Sequence, residues 1–517
     1  STLSRATASS YAVNFGYDFA PNPAVLRVAG VGLRLNPSRI RFRSGWTGSD
    51  AERFTYLVPI ELPGDTARPA LSQTRYWLNS AGVQLAPLTG VQAGLDVVST
   101  RDLRDYGDST TMGRVIGSES ATLFGTDIGI ETQRLLNTNL TFTPRLVAIR
   151  PRLSVGTTFS MTKDPNARDP VREAGDTAGS FHVPTAFSNQ RRIEAGAQFD
   201  LGRLARGVLG DSAALARMFA RVTGLDLSYS TQQGSVYSRA AGAPPPSYQF
   251  ALGDFDSFRA VDGLLAASAT QSTTLTTSGA MVLPLGLRAS AAFRHTDGVG
   301  WTLRADQQVP LRSDVREWPS GSLTWAVTPS RRNLGRLLTS ISARAGYRES
   351  QSVIEQPSFG APAGVTLSTT NDRTFTPSAS LGWIGGVFTN FDVSRSSSDR
   401  VNAGNLFRTV RNTQNGTLAF SFRPPGGFRS LIRTTAVYSV ANNTTCLRRT
   451  GSENCVPYVD SRQTQAQLTM DTDLPKNMSA GLQMAYVLNE ERQTNRKISQ
   501  FGVTAFVQLS ASVGQLR

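Results

Sequence analysis

Apolar and polar residues alternate at every second position along most of this sequence. Near its start, Tyr11, Val13, Phe15, Tyr17 and Phe19 alternate with small or polar residues. A period of two places successive side chains on opposite faces of a β-strand. The opening stretch therefore predicts a strand with one apolar face and one polar face.

The same alternation recurs in about 20 to 22 segments, many near the ten residues that a tilted membrane-crossing strand needs. The clearest segments are 11–19, 39–43, 91–97, 153–161, 193–201, 285–293, 301–306, 341–348, 432–440, 482–488 and 501–509. Aromatic residues lie near segment ends, as in the interfacial girdles of membrane barrels. They are Tyr11, Phe19, Trp46, Trp77, Trp301, Trp325 and Trp383.

A soluble β-sandwich also alternates, but its apolar face must fill a core and it rarely has so many successive strands in one sheet. We therefore expect an all-β fold: a large antiparallel transmembrane β-barrel of about 20 to 22 strands, or a large segment of one. The expected organisation is a single barrel wall over residues 1–517 with long outer loops and no separate soluble domain.

Short turns and long polar links alternate in the C-terminal part, as periplasmic turns and outer loops do. Short turns are predicted at 383–387, 424–428 and 473–477, and long links at 351–371, 396–405, 441–460 and 489–496. Earlier long loops are predicted at 101–125, 163–190 and 233–262; the Pro-containing segments 164–176 and 242–246 have little capacity for ladder pairing. Residues 204–222 have partly helical spacing, which indicates a short connecting helix or a gating helix.

Of the features of the composition, only the net charge adds to the prediction of a barrel. The 517 residues are 39% apolar and 18% charged, with a formal net charge of +15. Lysine occurs only at Lys163, Lys476 and Lys497, so nearly all the positive charge is arginine, scattered rather than clustered. Nucleic-acid binding is not expected from this spacing.

Arginines at alternate positions indicate a polar sheet face instead. The candidate lumen-lining residues are Arg41, Arg43, Arg288, Arg304, Arg344 and Arg348. They would attract anionic segments of cargo at long range. The alternative is that they only hydrate the inner wall and form ion pairs within it.

Few residues offer catalytic or metal chemistry. Only His182 and His295 are present, without a nucleophile elbow, a phosphate loop or metal-ligand spacing, so we expect no enzyme, cofactor or metal. The two cysteines, Cys446 and Cys455, lie close together in a polar stretch and are a candidate loop disulfide, which requires an oxidising compartment. No signal peptide precedes the first strand-like stretch, as expected of a mature or trimmed chain.

Several motifs resemble the C-terminal part of the giant SprA/Sov outer-membrane barrels, the translocon of the type 9 secretion system. They occur in that family's order at 140–146 (LTFTPRL), 224–230 (GLDLSYS), 251–253 (ALG), 317–325 (EWPSGSLTW), 346–347 (GY), 375–381 (FTPSASL) and 416–422 (GTLAFSF). The family's barrel is far longer, so the resemblance implies a fragment. The Cys446/Cys455 loop departs from the family, and no catalytic or ligand residue is carried over.

The resemblance implies passage of folded proteins through a wide pore in the outer membrane of a Gram-negative-type bacterium. The implied partners are outer-membrane lipid, exported protein cargo and accessory secretion subunits. The alternative is a complete uptake barrel, similar to a TonB-dependent transporter or a porin. That transporter family carries a globular plug before its barrel, whereas alternation here begins by Tyr11.

Overall fold

The structure is a computed structural model of the chain. It describes residues 2–19, 26–28, 31–33, 36–55, 70–104, 106, 111–123, 125–144, 148–165, 182–209, 219, 221–329, 334–356, 365–402, 404–424, 430–449, 452, 454–474 and 478–509. None of the helices in these ranges is long and apolar enough to cross a membrane.

Strands make up most of the described chain. In chain order they are β1 Thr2–Asp18, β2 Leu26–Val28, β3 Val31–Leu33, β4 Pro37–Thr55, β5 Ala70–Leu88, β6 Val91–Asp102, β7 Thr122–Leu123, β8 Thr126–Asp127, β9 Ile130–Phe142, β10 Ile149–Lys163, β11 Thr185–Phe199, β12 Val222–Ala240, β13 Ala260–Val261, β14 Leu264–Leu265, β15 Ser268–Val282, β16 Leu287–Arg304, β17 Gln307–Val327, β18 Leu338–Gln356, β19 Val365–Trp383, β20 Phe388–Asn402, β21 Asn405–Phe422, β22 Ile432–Arg448, β23 Val456–Leu474, β24 Met478–Glu491 and β25 Arg496–Leu509. The helices are α1 Thr111–Glu119, α2 Leu201–Leu209, α3 Pro246–Gln249 and α4 Asp256–Arg259, with 3-10 turns at Pro284–Gly286 and Leu334–Arg336.

The all-β expectation is confirmed, and the described residues form one 19-stranded antiparallel sheet. Its strands pair in chain order, as the registers of β4 with β5 and of β24 with β25 illustrate. Three short hairpins lie outside it: β2–β3, β7–β8 and β13–β14. The sheet has fewer strands than expected, and in the described residues its backbone pairing does not close it as a barrel.

The chain divides into two compact units, and each contains part of several strands. The first comprises Ser1–Ala197, Ser228–Thr273 and Gly298–Pro310. The second comprises Gln198–Leu227, Thr274–Asp297 and Leu311–Arg517. The expectation of one undivided domain stays a prediction.

The long C-terminal links predicted from the sequence are mostly strand, so that prediction is wrong. Strands β20 and β21 are separated only by residues 403–404, and β24 and β25 by 492–495. In these segments both faces carry polar side chains, so the sequence loses its alternation, while the backbone ladder continues, as in the Asn412–Asn442 pair. Elongated hairpins with polar ends replace the expected loops.

Three smaller predictions also differ from the structure. Residues 301–306 are not strand throughout, because Ala305 and Asp306 form a hairpin turn with φ of 45° and 63°. Residues 284–286 form a 3-10 turn before β16. Within 233–262, strand β12 continues to Ala240 before any connection begins.

Other predictions agree with the structure or fall outside it. The turn after Trp383 is found, and 242–246 takes no part in a ladder. Part of the helical spacing predicted over 204–222 is a helix, at Leu201–Leu209, whereas Val222 already begins β12. Residues 166–181, 210–218, 425–429 and 475–477 lie outside the described residues, so most of the 164–176 loop, the gating-helix alternative and two of the short turns stay predictions.

Candidate functional site: an apolar face, a polar face and a folded cap

In the second unit, the strands place their apolar side chains on one face, called here the apolar face. Strand registers align one row of this face across β19 to β25: Ala379, Phe391, Gly416, Tyr438, Ala466, Tyr486 and Phe501. The rings are exposed rather than packed: Phe391 is 51%, Tyr438 53% and Phe501 69% exposed. A sheet surface this apolar and this exposed requires an apolar environment or a partner.

The height of the apolar face matches the hydrocarbon region of a bilayer. On β24 its residues run from Met478 to Leu488, ten residue steps or about 33 Å along the strand at about 3.3 Å per step. At the strand tilt of about 40° that barrels have, this length corresponds to a height of about 25 Å. The apolar band of outer-membrane barrels is about 25 Å tall. At the next step Glu490 replaces the apolar residues, so the band has a sharp polar limit.

Two tryptophans mark the opposite limit. The indole Nε1 of Trp325 donates to the carbonyl oxygen of Leu285 at 3.0 Å, and that of Trp383 donates to Thr389 Oγ1 at 3.0 Å. Trp325 lies near the end of β17, beside the turn at Pro284–Gly286, and Trp383 ends β19 before its short turn. An apolar ring with a satisfied polar N–H is suited to a membrane–water interface.

The other face of the same strands, called the polar face, carries mostly polar and small side chains, with a few apolar ones such as Phe388, Val437 and Phe506. One aligned row is Ser378, Asp392, Asn415, Ser439, Gln465, Val487 and Gln500. Ser380 Oγ donates to Asn390 Oδ1 at 2.6 Å, and Asn390 Nδ2 donates to Asp392 Oδ2 at 2.5 Å. So many amides and hydroxyls cannot pack as a dry core, so this face suits water.

The first unit shows the same two faces. On the apolar side, Tyr11 faces Trp46 and Phe15 faces Phe42 across β1 and β4. On the polar side, Arg43 faces Asn14 and Arg41 faces Gly16. The alternation that predicts strands from the sequence therefore also separates apolar from polar surface here.

The six predicted lumen arginines are all exposed. Arg344 and Arg348 face Ser378 and Thr374 on the polar face of the second unit. Arg288 lies two residues before Ser290, whose hydroxyl hydrogen-bonds that of Ser322 at 2.8 Å, on the same face. Arg304, by contrast, ends β16 beside the hairpin turn, at the rim of the sheet.

In the part of the chain that the structure describes, only one of these arginines forms an ion pair. Arg348 Nη2 lies 2.7 Å from Glu317 Oε2. Among the described residues, no ion pair involves the other five, which are Arg41, Arg43, Arg288, Arg304 and Arg344. The polar face therefore keeps net positive charge available to an anionic solute.

The connection between β12 and β15, residues 241–267, is a folded cap in the first unit that the sequence did not predict. Tyr248 of α3 and Phe258 of α4 are buried, and Tyr248 contacts Phe159, Phe187 and Tyr237 edge-on. Nearby, Phe255 packs on Trp301, with ring centroids 5.0 Å apart. The cap is therefore a small hydrophobic core built on the strand ends.

Polar contacts fix the backbone of the cap. Arg191 Nη1 donates to the carbonyl oxygens of Ala251 and Gly253 at 2.9 and 2.8 Å. Asn189 Nδ2 donates to the carbonyl oxygen of Tyr248. Tyr237 Oη donates to the carbonyl oxygen of Phe258 at 2.8 Å. Side chains of β11 and β12 thus satisfy carbonyl groups of a connection that has few ladder partners of its own.

Two groups in the cap have shifted pKa values. Burial raises the pKa of the Tyr248 hydroxyl well above its usual value, and the hydrogen bond with Ser235 lowers this pKa by a smaller amount. Hydrogen bonds from the hydroxyl and then the backbone N–H of Ser257 hold the pKa of Asp254 below its usual value, and the positive charge of Arg191 acts in the same direction. The cap therefore favours a neutral Tyr248 and an ionised Asp254.

The structure joins Cys446 and Cys455 in a disulfide. Cys446 lies near the end of β22, and Cys455 directly precedes β23, so the bond closes the hairpin at its long-loop end.

The two histidines belong to different units. His182 Nδ1 lies 3.9 Å from Glu119 Oε1, and His295 Nε2 lies 3.8 Å from Asp314 Oδ2. Within the described ranges, no group of three His, Cys, Asp or Glu side chains is placed to hold a metal ion.

The chain has been compared with known protein families and with curated proteins. No family model matches it, and no curated protein matches it. The features of the chain that bear on function are therefore the two faces, the arginines and the cap. Of these, the cap left only a weak sequence signal: the aromatic residues Tyr248, Phe250, Phe255 and Phe258 within a predicted loop.

Proposed function

We propose that this chain forms part of the wall of a wide pore in the outer membrane of a Gram-negative-type bacterium. One observation carries the proposal: the strands of the second unit expose apolar side chains over about 33 Å of strand length on one face and carry mostly polar side chains on the other. Lipid would contact the apolar face, and water would fill the space beside the polar face.

The mechanism is passive. The exposed aromatic and aliphatic residues anchor the wall in lipid, and the serine, threonine and amide side chains hydrate the passage. The unpaired arginines raise the local concentration of anionic solutes or anionic segments of cargo.

Protein export is the use we infer for this pore, with secreted proteins as cargo and accessory secretion subunits as partners. The support is the resemblance of the motifs between 140 and 422 to the giant secretion barrels. No catalytic step is required of the chain, and no cofactor.

Conductance in planar bilayers tests the proposal. The purified chain should insert and give large, stable conductance steps with a preference for anions. The double variant Arg344→Ser, Arg348→Ser should keep the steps and lose part of the anion preference, whereas Arg395→Ser, whose residue pairs with Phe375 on the apolar face, should change neither. A soluble, monomeric, β-rich protein that gives no conductance would contradict the proposal.

A further inference from the structure

A row of polar side chains crosses the apolar face of the second unit at its long-loop limit, beginning with Arg395 opposite Asn412. Strand registers place Asn412 opposite Asn442, and Asn442 opposite Arg462. Asn412 Oδ1, Asn442 Oδ1 and Arg462 Nε are all buried, and none has a hydrogen-bond partner among the described residues. Neighbouring orphaned polar atoms are uncommon in folded proteins and indicate a missing partner.

A groove lies next to this row on the same face. Its volume is about 570 Å³, within the range of small-molecule sites. Small residues, Gly416, Ala436 and Ala466, form its floor, and Tyr438 and Tyr486 rise beside them. Its lining is almost entirely apolar, so it suits a hydrocarbon chain.

The spacing of the two features suits one amphipathic molecule. On β23, four residue steps separate Ala466 in the groove from Arg462 in the polar row, or about 13 Å. Half the thickness of a bilayer's hydrocarbon core is about 15 Å. A lipid with its headgroup on the row therefore has acyl chains long enough to fill the groove.

The charges of the row select the headgroup. Glu490, opposite Arg462, lies 3.0 Å from Lys497 Nζ, and with Arg395 and Arg462 in the same row the positive charges outnumber this one carboxylate. The free N–H of Arg462 calls for an anionic oxygen, whereas the two amide oxygens call for donors. A phosphate that carries hydroxyl groups supplies both.

We propose that the groove and the polar row bind one anionic phospholipid with a hydroxylated headgroup. When the three side chains turn outward, its phosphate accepts from the Arg462 guanidinium and its hydroxyls donate to the amide oxygens of Asn412 and Asn442. An acyl chain lies over Gly416, Ala436 and Ala466. This inference rests on the proposed function, because it requires the apolar face to contact lipid.

Lipid retention measured by native mass spectrometry tests the site. The full chain is reconstituted in vesicles of equal parts phosphatidylglycerol and phosphatidylcholine, then extracted, and retained lipid is counted. The wild type should retain phosphatidylglycerol preferentially. Arg462→Gln should lower that preference about tenfold or more, as loss of a charge-assisted hydrogen bond does.

Two further variants distinguish binding of the lipid headgroup from binding of the acyl chain. Arg411→Gln is the matched control, because Arg411 pairs with Asn443 at the same level on the polar face, and it should leave retention unchanged. Gly416→Leu should lower retention of both lipids by filling the groove; a Cβ at 416 meets nothing nearer than the carbonyl oxygen of Tyr438 at 4.0 Å.

The outcomes distinguish the lipid site from the proposed function. The site is overturned if Arg462→Gln retains phosphatidylglycerol as preferentially as the wild type does. It is also overturned if Arg411→Gln loses as much of that preference as Arg462→Gln. Loss of the phosphatidylglycerol preference on addition of inorganic phosphate also overturns the lipid site, because the row would then be a site for the free anion. Protein that resists urea extraction from the vesicles yet shows no lipid preference overturns the site alone, whereas failure of the wild type to insert overturns both proposals.

Discussion

Tyr347 lies directly opposite Phe375 across β18 and β19, and both rings point away from the sheet on its apolar face. The next pair along these strands, Arg348 and Thr374, lies on the polar face. One residue step thus separates a surface for lipid from a surface for water. Because side chains alternate strictly along a strand, the same substitution at adjacent positions should have opposite consequences.

Arginine substitutions at positions 438 and 439 test this directly. Tyr438→Arg places a charge in the middle of the apolar face and should destabilise the inserted protein by about 2–4 kcal/mol if the position lies near the bilayer midplane. Ser439→Arg, on the polar face, should have little effect. The measurement is urea unfolding in lipid vesicles. Equal losses for the two variants would contradict the assignment of the faces.

The cap should depend on the Tyr248 ring. Tyr248→Ala removes a buried aromatic side chain and should destabilise the cap by about 3–5 kcal/mol. Limited proteolysis should then cut within 241–267. Phe250→Ala is the matched control, since Phe250 is 38% exposed, and its cap should stay resistant. Equal cleavage of both variants would show that the buried ring does not hold the cap.

Stability of the cap should also depend on pH through Asp254. Its pKa is lowered in the folded state, so the ionised form contributes stability that is fully present above the usual pKa of about 3.9 and is lost as the pH falls through the lowered value. Amide exchange of Ser257, measured from about pH 5 downwards, should show this loss beyond its intrinsic pH dependence. In Asp254→Asn this pH-dependent loss of protection at Ser257 should be absent. If the loss persists in that variant, another titratable group causes it.

Removal of the disulfide should act locally. The bond closes a loop whose cysteines are nine residues apart, and such a loop contributes about 3 kcal/mol at most in the chain-entropy account. The double variant Cys446→Ser, Cys455→Ser should increase amide exchange at the adjoining ends of β22 and β23. Exchange in β24 should not change. A loss of protection throughout β22 to β25 would instead give the bond a role in the whole hairpin series.

The sequence predicted the strands best where one face is apolar, as in β22 and β24, because a period of two is visible only when the faces differ. It failed where both faces are polar: Asn412 and Asn442 pair in a ladder within segments that lack alternation. The site was predicted in part. Arg344 and Arg348 were placed by alternation, whereas the cap depends on contacts between Tyr248 and residues of β10, β11 and β12, which local sequence does not specify.

Single-cysteine labelling along β24 tests the central claim most directly. Cysteines are placed one at a time from 482 to 489 in the Cys446→Ser, Cys455→Ser background, and the vesicle-inserted protein is treated with a water-soluble maleimide. Positions 483, 485, 487 and 489, on the polar face, should be labelled, and 482, 484, 486 and 488, on the apolar face, should be protected by lipid. Labelling at all eight positions, or without a period of two, would contradict a wall with lipid on one face and water on the other.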